Sequence, residues 1–196
     1  MKELLIVILC YFLGAIPFSY IIVKLIKGVD IRTVGSKNVG ATNAGRVLGK
    51  WGFISSFLLD MSKSYIPLMI LKNYYNTNYL LIFAFFIILG HTYTIFLRFK
   101  GGKGVATGVG IYLALSPKSL FIALIVFIIV AVLFRMVSLS SITGAVALFI
   151  SVIFLESSIS LKVFTFIVVA FVIYKHKDNI KRIINKTERK IGERVG

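Results

Sequence analysis

The sequence predicts an all-α protein: a polytopic membrane fold of seven transmembrane helices, some of them short, with the N-terminus outside and the C-terminus cytoplasmic. The 196 residues are 58% hydrophobic, and the mean hydropathy is +0.94. Only 15% of the residues are charged, against about a quarter in soluble domains. The charges that remain are strongly cationic, +16 net, and they gather between the apolar runs. A soluble chain this basic would point to nucleic acid. An apolar one points to a membrane protein with its cations at one surface.

The first apolar run begins at Leu4 and continues to Val23, with Pro17 inside it. Lys2 is offset by Glu3, and the run passes beyond where a leader would be cleaved, so a retained spanning helix kinked at Pro17 is expected. Phe53–Leu71, Tyr79–Leu97 and Val137–Leu155 each come close to the roughly 20 residues that cross a hydrocarbon core. Ile159–Tyr174 is shorter and follows a polar turn at Glu156–Ser158. Val105–Phe134 is too long for one span, and Ser116–Ser119 (SPKS) divides it, because proline lacks an N–H donor and disfavours helix in the residue before it.

Charge supports that division. With the turn at Pro117 and the N-terminus outside, 18 of the 23 Lys and Arg residues lie on the inner side, eight of them in the tail 175–196. Without the turn that tail would fall outside, and the positive-inside bias would largely vanish. The whole chain, 1–196, reads as one integral-membrane domain, and 175–196 as a basic cytoplasmic tail forming an amphipathic helix on the membrane face.

This orientation puts three unusual polar segments on the cytoplasmic face. In Gly35–Arg46, Ser36, Asn38, Thr42, Asn43 and Arg46 alternate with small residues such as Gly40. Hydroxyls, amides and a guanidinium without an acid suit phosphate binding or carbonyl polarisation, and small residues let backbone approach a ligand. In Phe99–Thr107, the glycines 101, 102 and 104 can turn N–H groups toward an anion, Lys100 and Lys103 bring charge, and a helix beginning near Gly104 would aim its positive end there. It is not a Walker A loop, since Gly104 follows Lys103 where Ser or Thr is required. In Tyr174–Arg182, His176 and Asn179 share a helix face. Two roles are open to His176, proton transfer or simple hydrogen bonding.

Other features have more modest readings. Asp60 and Lys63, i and i+3 within a span, are expected to pair in the bundle interior. Ser138 and Ser141 either line the site or bond their own helix backbone. His91 opens HTYTIF, but Phe96 stands where the soluble-substrate acyltransferase signature has Asp, and there is no Gly-x-Ser-x-Gly elbow. Cys10 reads as a small buried hydrophobe. With one cysteine, two histidines and seven acids, no metal site is expected.

Taken together, the three segments resemble the motifs of the bacterial integral-membrane acyl-phosphate:glycerol-3-phosphate acyltransferases. Ser36–Arg46 fits S-x-N-x-G-A-T-N-x-x-R, Lys100–Thr107 fits K-G-G-K-G-V-A-T, and His176–Arg182 fits H-x-x-N-I-x-R. The likeness runs nearly the whole chain. It departs after Arg182, where the family carries glycine before T-E and this sequence has Lys186. The resemblance implies seven helices in the bacterial cytoplasmic membrane, an active site on the cytoplasmic face, and the first acylation of phospholipid synthesis. The substrates would be acyl phosphate and glycerol 3-phosphate, and the products 1-acylglycerol 3-phosphate and phosphate. No metal, cofactor, carrier-protein or coenzyme A thioester, nucleic acid or obligatory protein partner is implied, and the remaining contacts are with membrane lipids.

The expected chemistry agrees. Two phosphate-bearing substrates account for a site rich in cations and amides, and an acyl chain accounts for a membrane location, at about 0.8 kcal/mol per buried methylene. Ser36, Arg46, Lys103, His176 and Asn179 are the expected catalytic set. Asn38, Gly40, Thr42, Asn43, Lys100, Gly101, Gly102, Gly104, Thr107 and Ser141 are the expected binding set. The rival reading is a membrane transporter of phosphate esters or other anions. That would place polar groups near the bilayer midplane in two related halves, whereas these motifs cluster at one face and no internal repeat is evident.

Overall fold

The computed structural model describes residues 1–192. Among them are ten α-helices, a short 3-10 turn at Ile95–Leu97 and no strand. The helices are α1 (Lys2–Ala15), α2 (Phe18–Lys27), α3 (Ala41–Leu48), α4 (Lys50–Leu71), α5 (Thr77–Thr92), α6 (Val105–Leu115), α7 (Pro117–Phe134), α8 (Val137–Leu155), α9 (Ile159–Lys175) and α10 (Lys177–Ile184). They group into two compact units, one ending at Ala114 and the other beginning at Leu115.

Among the described residues, five helical segments are long and apolar enough to cross a membrane: Lys2–Lys27, Lys50–Leu71, Thr77–Leu97, Pro117–Phe134 and Val137–Leu155. The pair α9 and α10, bent by 57°, makes a sixth if it is one span. The division at Pro117 is present, with Ser116 between α6 and α7 and Pro117 at the first position of α7, where its missing N–H costs nothing. At 11 residues, α6 reaches about 16 Å, roughly half of a hydrocarbon core.

In the first unit α1 packs on α5 through glycine. A Cβ on Gly14 would collide with Ile87 O, and one on Gly90 with Tyr11 O, so the two backbones touch as small residues permit in membranes. The expected break at Pro17 separates α1 from α2. Hydrocarbon offers no water to freed carbonyls, and polar side chains take them instead. Thr94 Oγ1 donates to Ala15 O at 2.6 Å, and Lys63 Nζ donates to Ile16 O at 2.9 Å. Below, Val23, Ile31, Val39, Ala44 and Leu97 form a buried cluster bordered by Tyr20, Val47 and Leu48. It anchors the chain between α2 and α4.

In the second unit α8 packs against α7, α9 and α10. The tail differs from the expected continuous amphipathic helix. Helix α10 ends at Ile184, and the chain then folds back. Thr187 N donates to Arg182 O at 2.8 Å, and Ile191 N donates to Arg135 O at 2.6 Å. The reversal is driven by Glu188, whose side chain is drawn into the unit and is 8% exposed. The last part of the expected tail helix, 193–196, lies outside the described residues.

The reversal passes through Lys186, which has φ +57°. A left-handed conformation costs a residue with a Cβ roughly 1–2 kcal/mol and glycine almost nothing. This is the position where the sequence departs from the glycine of the resembling family. Lys186→Gly is therefore expected to raise the thermal unfolding midpoint of the detergent-solubilised protein, by up to about 1 kcal/mol of stability. An unchanged or lowered midpoint would contradict the cost assigned to this turn.

Candidate active site

The segment Gly35–Arg46 is part tight loop and part helix. Gly35 and Lys37 both take left-handed φ values, +58° and +59°, and put Ser36 at the apex of a turn. Helix α3 starts at Ala41 with Gly40 as its N-cap, so Thr42 and Asn43 lie in its first turn and Arg46 in its last. Gly45 and Gly52 let α3 lie against α4, since a Cβ on either would meet the neighbouring helix at 2.5–2.8 Å. This places Gly45 in packing rather than beside a ligand.

Asn43 holds the loop together. Its side chain is fully buried. Oδ1 accepts from Ser36 N at 2.8 Å, and Nδ2 approaches Ile31 O, Val34 O and Asn38 O, each at 3.1 Å. The amide expected to orient substrate is thus spent on fixing the backbone around Ser36 and Asn38. Asp30, the nearest acid in sequence, is gripped by Arg32. Arg32 Nη2 lies 2.6 Å from Oδ2, and Nε lies 3.0 Å from Oδ1. The hydrogen bonds from Arg32 hold the Asp30 carboxyl below its ordinary range, so it stays ionised and paired.

The glycine segment follows α5 and the 3-10 turn. One expectation needs correction. The N–H groups of Gly101 and Gly102 do not turn outward to an anion; they donate to Thr92 O and His91 O, both at 3.1 Å. These glycines are required by crowding. A Cβ on Gly101 would strike His91 O, and one on Gly102 would strike His91 Nε2 and Val39 O. Gly104 has φ +84° and turns the chain into α6, whose first-turn N–H groups lack intrahelical acceptors. Lys103 is half-buried beside them and Lys100 is exposed. Thr107, in that first turn, is buried, and its hydroxyl has no hydrogen-bond partner among the described residues. The contact of Gly102 with Val39 O joins the glycine segment to Gly35–Arg46 within one unit.

Beneath this junction lies the expected Asp60–Lys63 pair, with Nζ 2.7 Å from Oδ1. Sequence reading missed its third member. His91 Nδ1 is 3.0 Å from Lys63 Nζ, and Ser19 Oγ donates to Asp60 Oδ2 at 3.3 Å.

In the second unit, His176 is the hinge between α9 and α10 and is 3% exposed. Its Nδ1 is 2.7 Å from Val172 O. A carbonyl only accepts, so Nδ1 carries the hydrogen and Nε2 is the basic nitrogen of the neutral ring. Asn179 Nδ2 donates to Glu188 Oε1 at 2.6 Å. Glu188 also accepts from Ser138 Oγ and Arg182 Nε, both at 2.7 Å. Glu188 was not foreseen as a site residue; its only signal was the T-E pair after Arg182. Ser141 takes the helix-bonding alternative, donating to Val137 O at 2.8 Å.

A family model described as glycerol-3-phosphate acyltransferase matches residues 4–186. A protein of Fusobacterium nucleatum named glycerol-3-phosphate acyltransferase is 45% identical over 94% of this chain and 95% of its own. A crystal structure of PlsY (YgiH), described as an integral membrane glycerol 3-phosphate acyltransferase, in its glycerol 3-phosphate form, aligns with TM-score 0.93 and 38% identity over 98% of this chain and 96% of that one. Its lysphosphatidic acid form aligns with TM-score 0.90 and 37% identity, over 98% and 97%.

Two outcomes are expected from these contacts. Asn43→Asp, which keeps the shape but sets an anion against three carbonyls, should abolish activity and destabilise the fold by more than about 2 kcal/mol; near-normal turnover and melting would overturn the assignment of Asn43 as loop organiser. For Glu188, burial alone would raise the carboxyl pKa, but hydrogen bonds from Ser138, Asn179 and Arg182 outweigh it and hold the group below its ordinary 4.5. A depressed folded value stabilises above the unfolded pKa and is lost as pH falls through the folded one. The melting advantage of the native protein over Glu188→Gln should therefore be constant above about pH 4.5 and shrink in more acid buffer. A difference that grows on acidification would reverse that sign.

Proposed function

The chain belongs to the glycerol-3-phosphate acyltransferase family, and on that premise we propose that an acyl phosphate supplies its acyl group to the 1-hydroxyl of glycerol 3-phosphate on the cytoplasmic face of the bacterial membrane. It is an acyltransferase and an integral membrane protein. In this proposal seven helices enter the membrane, with α6 and α7 short or tilted, the N-terminus outside and the C-terminus cytoplasmic. The cation distribution supports that orientation. The products are 1-acylglycerol 3-phosphate and phosphate.

The observation that carries the reading is the junction of the two loops at Val39 and Gly102, with α6 beginning at Val105, three residues further on. There, cations and helix-end amides meet a loop of hydroxyls and amides whose nearest acid is already paired. Such a place suits two phosphate groups. In the proposed reaction the glycerol oxygen bonds to the acyl carbonyl carbon, the bond from that carbon to the oxygen bridging to phosphorus breaks, and phosphate leaves with that oxygen and the electron pair. The mixed anhydride is already activated, so catalysis is positioning and charge stabilisation. Arg46, Lys103 and the first turn of α6, with Gly104 and Thr107, hold phosphate, and Lys100 adds exposed charge. Ser36, Asn38 and Thr42, at the α3 end capped by Gly40, orient the acyl phosphate. Asn43, Gly101 and Gly102 fix the two loops. His176 and Asn179 hold glycerol 3-phosphate, and the hydroxyl proton passes to His176 Nε2 or to the departing phosphate. The Nδ1–H bond to Val172 O supports His176, because it leaves Nε2 as the base.

Purified protein given palmitoyl phosphate and glycerol 3-phosphate should release phosphate in step with lysophosphatidate. Lys103→Ala and Ser36→Ala should each lose about 100-fold or more in kcat/KM. A His176→Ala enzyme that loses kcat with KM for glycerol 3-phosphate unchanged would mark His176 as the base, whereas a raised KM marks a binding role. Normal turnover in Lys103→Ala or Ser36→Ala would remove the phosphate and acyl assignments. No product from folded native protein would remove the reading as a whole.

A further inference from the structure

Inside the first unit, three side chains that the proposed reaction does not use form one connected polar group. Asp60 and Lys63 on α4 are almost completely buried in a segment long and apolar enough to cross a membrane, where an ion pair is costly to keep. Lys63 Nζ has three acceptors at hydrogen-bonding distance: Asp60 Oδ1 at 2.7 Å, Ile16 O at 2.9 Å and His91 Nδ1 at 3.0 Å. An ammonium has three protons and no lone pair. Asp60 Oδ1 lies 3.7 Å from His91 Nδ1, beyond a hydrogen bond. Against the ammonium form of Lys63, Nδ1 is the acceptor, and the hydrogen of the neutral ring sits on Nε2. That nitrogen and Val39 O bound the space a Cβ on Gly102 would fill, and the backbone of His91 accepts from Gly102 N at 3.1 Å. One residue thus abuts the glycine segment through ring and carbonyl together, at the point where the segment meets the loop of Ser36.

We infer that His91 is a positioning residue for acyl transfer: held by the Lys63–Asp60 pair in its Nε2–H form, it sets the register of the glycine segment against the Gly35–Arg46 loop. The inference rests on the glycine segment holding a substrate phosphate. It explains why an ion pair is retained inside an apolar helical segment, and it gives a task to a histidine outside all three motifs. His91 touches neither substrate in this role, and it transfers no proton.

The test uses full-length protein in lipid nanodiscs, with palmitoyl phosphate and glycerol 3-phosphate, and compares His91→Leu, His91→Gln and the apolar swap Asp60→Leu/Lys63→Met. Glutamine offers an acceptor oxygen and a donor NH2 group in place of the ring's acceptor and donor nitrogens; leucine offers neither. His91→Leu is expected to lose about 10- to 100-fold in kcat/KM, as displacement by an ångström does, through a raised KM for the substrate held by the glycine segment. His91→Gln should recover most of that loss. The Asp60→Leu/Lys63→Met protein should show the same raised KM, and adding His91→Leu to it should cost little more. Thermal unfolding of each variant reports the fold separately. Wild-type KM in folded His91→Leu, failure of glutamine to rescue, or additive losses would overturn the inference. Should His91→Leu not fold, the kinetics of His91→Gln and of the double swap decide alone, with a normal KM in the double swap overturning it. A native protein inert toward both substrates would instead sink the functional reading itself.

Discussion

The carboxamide of Asn43 is the contact on which the candidate site depends. A loop that presents hydroxyls and amides must keep its own backbone from collapsing onto them. One fully buried side chain does this, accepting from Ser36 N and donating toward three carbonyls. With those groups saturated internally, the backbone around Ser36 and Asn38 is held in place. The apolar cluster of Val23, Ile31, Val39, Ala44 and Leu97 then fastens the loop to the helices on either side.

Much of this was legible in the sequence. The apolar runs located every long helix, because spans must be near 20 residues and unbroken. Pro17 and Pro117 marked both breaks, since proline has no N–H to give. What escaped notice was short or nonlocal. Helix α3 has only eight residues, so its periodicity is too brief to register. The inward donation of Gly101 and Gly102 depends on carbonyls of His91 and Thr92 some ten residues away, which no local pattern encodes. His91 itself looked like a failed signature, since its partners Lys63 and Asp60 are on another helix.

The tail shows how tertiary structure overrides a local preference. The charge pattern beyond His176 favours a long amphipathic helix at the membrane surface. Helix α10 obeys it for eight residues. Then one buried carboxylate, with donors waiting on Ser138, Asn179 and Arg182, contributes more than further helix would, even with Lys186 in an unfavourable backbone conformation.

That fold-back gives the chain a temporal order during its synthesis. Ser138 lies at the start of α8 and Asn179 in the first turn of α10, and both leave the ribosome before residue 188 does. Until Glu188 follows them, two buried side chains lack their shared acceptor, and Arg182 lacks its counter-ion. A chain truncated just after α10 would keep all ten helices of the described residues and all three polar segments, yet its third segment would be unbraced. Completion of this part of the protein is therefore tied to the arrival of a single late carboxylate, so that incomplete chains carry an unfinished third segment.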